Sequence, residues 1–176
     1  FVLATFHPTS FDTAAPVRQV EVFLQALDGI TDAIVLTAPN PDAASELFLA
    51  KFRDYAATHP DVQLYEALGA QNYYAAMASA RYMIGNSSSG MWESASFRLP
   101  VVNIGPRQQG RVHGDNVVNC ELDPRAIAAA IATAWSSARI RASPATCSKT
   151  PWSLALPQQA STPLFSARSR RPPLRC

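Results

Sequence analysis

Gly85-Asn86-Ser87-Ser88-Ser89-Gly90-Met91-Trp92-Glu93 is the stretch on which the fold turns. It follows the apolar run Tyr82–Gly85 and opens a segment expected to be helical over 89–98. Strand, Gly/Ser turn and helix in that order is how an open parallel sheet builds a ligand site. The turn lets main-chain N–H groups approach a phosphate, and the helix dipole favours its charge. Ser87 and Ser88 are the hydroxyls placed to meet a pyrophosphate there. The plainer reading is a helix cap, the usual role of serine in front of a helix. Glu93 lies four residues after Ser89, where a reciprocal capping box wants three, although Gly90 can serve as the cap with Glu93 behind it. A carboxylate one turn into such a helix can reach past the phosphates and accept both hydroxyls of a ribose.

Short apolar runs recur on both sides of this stretch, at Val2–Phe6, 33–38, Val62–Tyr65, Tyr82–Gly85, Val101–Ile104 and Val117–Cys120. Runs of this length separated by amphipathic stretches indicate a doubly wound parallel sheet with helices on both faces. Val17, Val20, Phe23, Leu24 and Leu27 keep a helical period, as do Leu47, Phe48, Phe52 and Tyr55; further helices are expected over 70–80 and 124–135. Pro16, Pro41-Asp42 and Asp123-Pro124 mark helix starts. The fold class is therefore α/β and Rossmann-like, with the ordered domain at 1–135.

The ends of the other strands bring polar residues to the same rim. His7 follows the first run in Thr5-Phe6-His7-Pro8, and its transition near pH 6.5 suits it to meet a phosphate or shuttle a proton, although a lone histidine is more often structural. Pro39-Asn40 follows the second run, and Arg107-Gln108 follows Asn103-Ile104-Gly105; Arg107 can pair bidentately with a phosphate.

The 176 residues are 48% hydrophobic, enough for one core, and no apolar run approaches the ~20 residues of a membrane span. The chain begins at Phe1 without an initiator Met or a charged signal-like start, which reads as a soluble fragment. Its net charge of +2 hides a division: residues 1–135 hold 8 Lys/Arg against 13 Asp/Glu, and residues 136–176 hold 7 Lys/Arg and no acid. With six prolines and no hydrophobic period, 136–176 reads as a disordered basic tail and a candidate for a frame-shifted end of the gene. The tail lacks the aromatic interleaving of a nucleic-acid arm and the amphipathic repeat of a membrane helix, so neither partner is expected. Cys120, Cys147 and Cys176 form no CxxC pair, which points away from zinc and disulfides and toward a reducing, cytoplasmic setting.

Thr5-Phe6-His7-Pro8, Pro39-Asn40, Leu64-Tyr65-Glu66-Ala67-Leu68-Gly69, Gly85-Asn86-Ser87-Ser88-Ser89-Gly90 with Glu93, and Val101–Gly105 followed by Arg107-Gln108 and Gly110-Arg111 together resemble the hydrolysing UDP-N-acetylglucosamine 2-epimerases. The resemblance covers roughly 1–135 and keeps the family's order. It implies the UDP-binding C-terminal half of a two-domain glycosyltransferase-B-type enzyme, with the N-terminal domain, its acid/base carboxylates and the family's returning C-terminal helix missing from the chain. It implies Ser87 and Ser88 at the phosphates, Glu93 at the ribose, His7 and Arg107 near phosphates and sugar, Asn40 in contact with the ligand, and the loop around Leu68 against the uracil. It implies a UDP-sugar as ligand, no metal or other cofactor, and a full-length protein that is a homo-oligomer. A glycosyltransferase shares the plan, but Asn103-Ile104-Gly105-Pro106-Arg107-Gln108 favours the epimerase. A non-catalytic nucleotide-binding module or a truncated gene product is the reading from another class.

Overall fold

The computed structural model describes residues 1–141. Six strands form one all-parallel sheet: β1 (Val2–Thr5), β2 (Ile34–Thr37), β3 (Val62–Tyr65), β4 (Met83–Gly85), β5 (Val101–Ile104) and β6 (Val117–Cys120). Their order is β3-β2-β1-β4-β5-β6. The chain steps outward from β1 to β3, then crosses back to β4 on the other side of β1. That reversal between β1 and β4 is the topological switch point, where open sheets leave a crevice beyond the strands' C-terminal ends.

Both faces are covered, which is why the strands read as continuous apolar runs rather than as alternating ones. Val2, Ala4, Phe6, Ile84 and Val102 face α1 (Pro16–Leu27), α2 (Ser45–Thr58) and α4 (Pro124–Arg141), whose Phe23, Phe48, Phe52 and Ile127 are buried against them. Phe6 stacks on Phe23 at 4.5 Å and on Phe48 at 5.9 Å between ring centres. Leu3, Met83, Val101 and Val117 face the other way, onto Met77 of α3 (Gly69–Ser79), Met91 and Leu99.

Three elements depart from the sequence expectation. The segment 89–98 is not an α-helix but two 3-10 turns, Ser88–Gly90 and Ser94–Phe97, closed by Arg98 in the left-handed region at φ 50°. The Ser94 hydroxyl donates to the Gly90 carbonyl at 2.7 Å, a side-chain bond that competes with a continuous helical ladder. Helix α2 opens at Ser45 rather than at Pro41-Asp42, because Ala44 is left-handed at φ 65° and the Asp42 carbonyl is taken by the Ser45 N–H. Helix α4 starts at Pro124 as expected, with Asp123 Oδ1 accepting the N–H groups of Arg125 and Ala126. It continues to Arg141, into the stretch assigned to the tail; the remainder of that stretch lies outside the described residues.

Candidate nucleotide site

The crevice begins where β1 and β4 end side by side, Thr5 in register with Gly85. Gly85 has φ +138°, and a Cβ there would stand 1.9 Å from the Thr5 carbonyl oxygen, so only glycine fits. One residue on, Asn86 reaches across the gap. Its Oδ1 accepts the His7 N–H at 2.7 Å and its Nδ2 donates to the His7 carbonyl at 2.8 Å. Gln108 Nε2 donates to the Asn86 main-chain carbonyl at 2.7 Å, so the loops after β1, β4 and β5 are tied through one buried residue.

His7 is 4% exposed, and the Asn40 N–H donates to its Nδ1 at 3.0 Å. Burial, helped by the positive charge of Arg107 and opposed by Asp42, lowers its pKa from 6.5 to about 4. The ring is therefore neutral near pH 7, its titration moved well below the value near 6.5 read from the sequence. Asn40 enters through its main chain; its side chain is exposed. Arg107, in the short turn Pro106–Gln108, donates to Asp42 Oδ2 at 3.1 Å. With Arg111, Thr9, Ser10 and Phe11 the pair lines a cleft of about 410 Å³.

The serines form a ladder. Tyr73 of α3 shares a hydrogen bond with Ser89 Oγ at 2.7 Å, and Ser89 shares one with Ser87 Oγ at 2.9 Å. Ser87 Oγ also accepts the Ser89 N–H at 3.4 Å, so the capping reading and the hydroxyl cluster hold at one residue. The Ser88 hydroxyl is half-buried and has no hydrogen bond among the described residues. Glu93 follows between the two turns, not one turn into a helix, and its Oε2 is buried without a hydrogen-bond partner. The helix-dipole contribution expected at this site is accordingly absent, and main-chain N–H groups and hydroxyls carry what the turn can offer. Leu68 caps the start of α3, on the loop that ends β3; no bond ties it to the other candidates.

Asn86 and Tyr73 carry no role in the sequence pattern, and Gln108, expected only as a neighbour of Arg107 on the rim, proves to be a buried tie to Asn86. Asn86 lay inside the quoted stretch, but its partners are 79 residues away in the chain. Cys120 is a passive thiol, its pKa pushed up to about 11 by burial. Among the described residues no group of three or more His, Cys, Asp or Glu could hold a metal ion, and no helix is long and apolar enough to cross a membrane.

A model of the family described as UDP-N-acetylglucosamine 2-epimerase matches residues 1–152. The chain belongs to that family. Among curated relatives, the GDP/UDP-N,N'-diacetylbacillosamine 2-epimerase (hydrolyzing) of Campylobacter jejuni is 33% identical over 123 residues, covering 69% of this chain and 32% of that protein. The UDP-N,N'-diacetylbacillosamine 2-epimerase (hydrolyzing) of Legionella pneumophila is 32% identical over 139 residues, covering 79% and 37%. The chain thus spans about a third of the length of these epimerase-family relatives. Among solved structures, the Methanocaldococcus jannaschii UDP-GlcNAc 2-epimerase in complex with UDP-GlcNAc and UDP superposes with a TM-score of 0.58 at 14% identity, covering 81% of this chain and 44% of that one. The Escherichia coli heptosyltransferase WaaC with ADP gives 0.51 at 17% identity, covering 77% and 44%. At such identities these two likenesses speak for the Rossmann-like fold alone.

Proposed function

We propose that this chain is the UDP-binding C-terminal half of a hydrolysing 2-epimerase of UDP-acetamido sugars, with the catalytic cleft completed by a second domain that supplies the acid/base carboxylates. The observation that carries this is Glu93: a carboxylate oxygen buried without any donor, one short turn beyond a cluster of serine hydroxyls at the crevice. A buried unpaired acceptor is costly unless a ligand brings the donor, and the two hydroxyls of a ribose do so. Ser87 and Ser88 then meet the phosphates, Arg107 and the Nε2–H of His7 face phosphate and sugar, and the loop at Leu68 lies by the uracil.

In the reaction, the C2 proton goes to a base and the C1–O bond breaks with its electrons leaving on UDP; water then adds across the C1–C2 double bond of the 2-acetamidoglucal, its hydroxyl to C1 and a proton to C2 on the opposite face, which inverts C2. N-acetylmannosamine and UDP are the products when the substrate is UDP-N-acetylglucosamine. This chain's share is leaving-group stabilisation: preorganised donors at the diphosphate lower the cost of the charge that develops as UDP departs. A cytoplasmic setting, a homo-oligomeric intact enzyme and a need for no metal or other cofactor belong to the same proposal.

Calorimetric titration with UDP tests it. Glu93→Ala should weaken binding by ~1.5–3 kcal/mol, about ten- to a hundredfold. Ser88→Ala should cost less, and uridine should lose the Ser88 effect while keeping that of Glu93. A folded Glu93→Ala variant that binds UDP as tightly as the parent would show that the pocket has been misplaced.

A further inference from the structure

We propose that the Asn86 side chain and the main-chain N–H of Asn40 act together as positioning groups for His7, holding its imidazole as a neutral ring that offers Nε2–H to a ligand oxygen. The proposal rests on the nucleotide-site reading only for the identity of that oxygen.

The hydrogen bonds leave no freedom of assignment. A main-chain N–H can only donate and a carbonyl can only accept, so the atoms of the Asn86 amide are forced: Oδ1 takes the His7 N–H and Nδ2 gives to the His7 carbonyl. The amide bridges the His7 backbone as a neighbouring strand would, just where β1 has ended. Asn86 is itself fixed, 1% exposed, with its N–H on the Thr5 carbonyl at 3.1 Å and its carbonyl accepting from Gln108. A carboxylate at this position would turn an acceptor toward the His7 carbonyl, and a serine could not span both bonds.

The same logic settles the ring. The Asn40 N–H can only donate, so His7 Nδ1 is an acceptor and carries no proton; in a neutral imidazole the proton then sits on Nε2. Protonating Nδ1 would set two donors against each other. The charged groups acting on the ring are Arg107, from the turn after β5, and Asp42, from the loop before α2, and they pair at 3.1 Å. Nε2 has no hydrogen bond among the described residues, so it is the ring's free polar atom.

The test uses the protein labelled with 15N-histidine, whose long-range proton–nitrogen spectra distinguish the tautomers, together with UDP and uridine titrations. The parent should show His7 as the Nε2–H form alone between about pH 5.5 and 8. Asn40→Pro deletes the donor to Nδ1 at a position whose side chain is exposed, with circular dichroism confirming that the proline ring leaves the fold intact, and Asn86→Ser removes the backbone clamp. Both should admit the Nδ1–H form, and both should raise the Kd for UDP about tenfold while leaving that for uridine unchanged. Should Asn86→Ser unfold, Asn40→Pro decides. A parent His7 that is charged or Nδ1–H at pH 7, or folded variants whose tautomer and UDP affinity match the parent, would overturn the proposal. If the parent binds no UDP, the nucleotide reading fails, while the tautomer spectra still decide the positioning.

Discussion

At residue scale the firmest constraint is Gly85. Both atoms that a Cβ would strike, the Thr5 carbonyl oxygen at 1.9 Å and carbon at 2.6 Å, belong to the main chain of the neighbouring strand and cannot rotate away. Gly85→Ala should therefore cost at least roughly 3 kcal/mol in urea unfolding, or prevent folding, and an unchanged midpoint would refute the close approach. His7 yields a prediction of the opposite kind, visible only on acidification. Its folded pKa of about 4 lies below the unfolded 6.5, so between those values the unfolded chain binds more protons. Stability is then full above about pH 6.5 and falls as pH drops toward 4, by at most roughly 3 kcal/mol from this group. His7→Gln should flatten that part of the melting-temperature profile; an equally steep profile would assign the acid sensitivity elsewhere. His7 and Arg107 could be singled out from the sequence because each is a reactive residue type just past an apolar run, and Glu93 because it follows the Gly/Ser turn by a few residues. Asn86 could not: an Asn in a Gly/Ser turn is ordinary local chemistry, and what sets it apart is a partner on another strand.

At the scale of elements, parallel strands announce themselves because burial on both faces favours apolar residues, and the four inner strands were legible for that reason; the edge strands β3 and β6, part-exposed at Gln63 and Asn119, were legible from their spacing and remaining apolar positions. The segment after β4 was not. Met91, Phe97 and Leu99 look like spaced core positions of a helix, yet the backbone is shaped by side chains that bond to it. Ser94 is fully buried; its hydroxyl gives to the Gly90 carbonyl and accepts from Asn116 Nδ2 at 2.8 Å, while Asn116 also holds the Leu99 carbonyl. Helix periodicity counts apolar positions and is blind to such bonds. Ser94→Ala should accordingly destabilise the protein by ~1–3 kcal/mol, since it leaves the Gly90 carbonyl without this bond and takes one acceptor from Asn116. Chemical unfolding measures this directly, and a change within ±0.5 kcal/mol, as at an ordinary surface site, would mean that the two turns are held by packing alone.

At the scale of the molecule, the described residues form one open six-stranded sheet covered on both faces, whereas the match takes in only about a third of the length of its epimerase-family relatives. Strand order was beyond the sequence, because pairing β1 with both β2 and β4 is decided by crossovers and not by any residue pattern; the shared rim was legible from parallel strands alone, but which loops meet across the crevice was not. In the proposed division the nucleotide is held by this chain and the acid/base groups by a second domain, so binding and turnover should separate here. The chain is expected to bind UDP, with heat released in calorimetric titration, and to form no N-acetylmannosamine from UDP-N-acetylglucosamine even at high protein concentration. Among the described residues, each candidate base at the crevice is otherwise engaged: His7 Nδ1 accepts from Asn40, Nε2 carries the proton, Asp42 is paired with Arg107, and Glu93 is committed to the ribose in the proposed pose. Chromatographic or proton NMR assay of the products, beside the UDP titration, distinguishes the outcomes. Binding with turnover above the protein-free blank would show that a base lies within this chain and that the divided cleft is wrong. Absence of both would leave the fold standing and remove the nucleotide site from it.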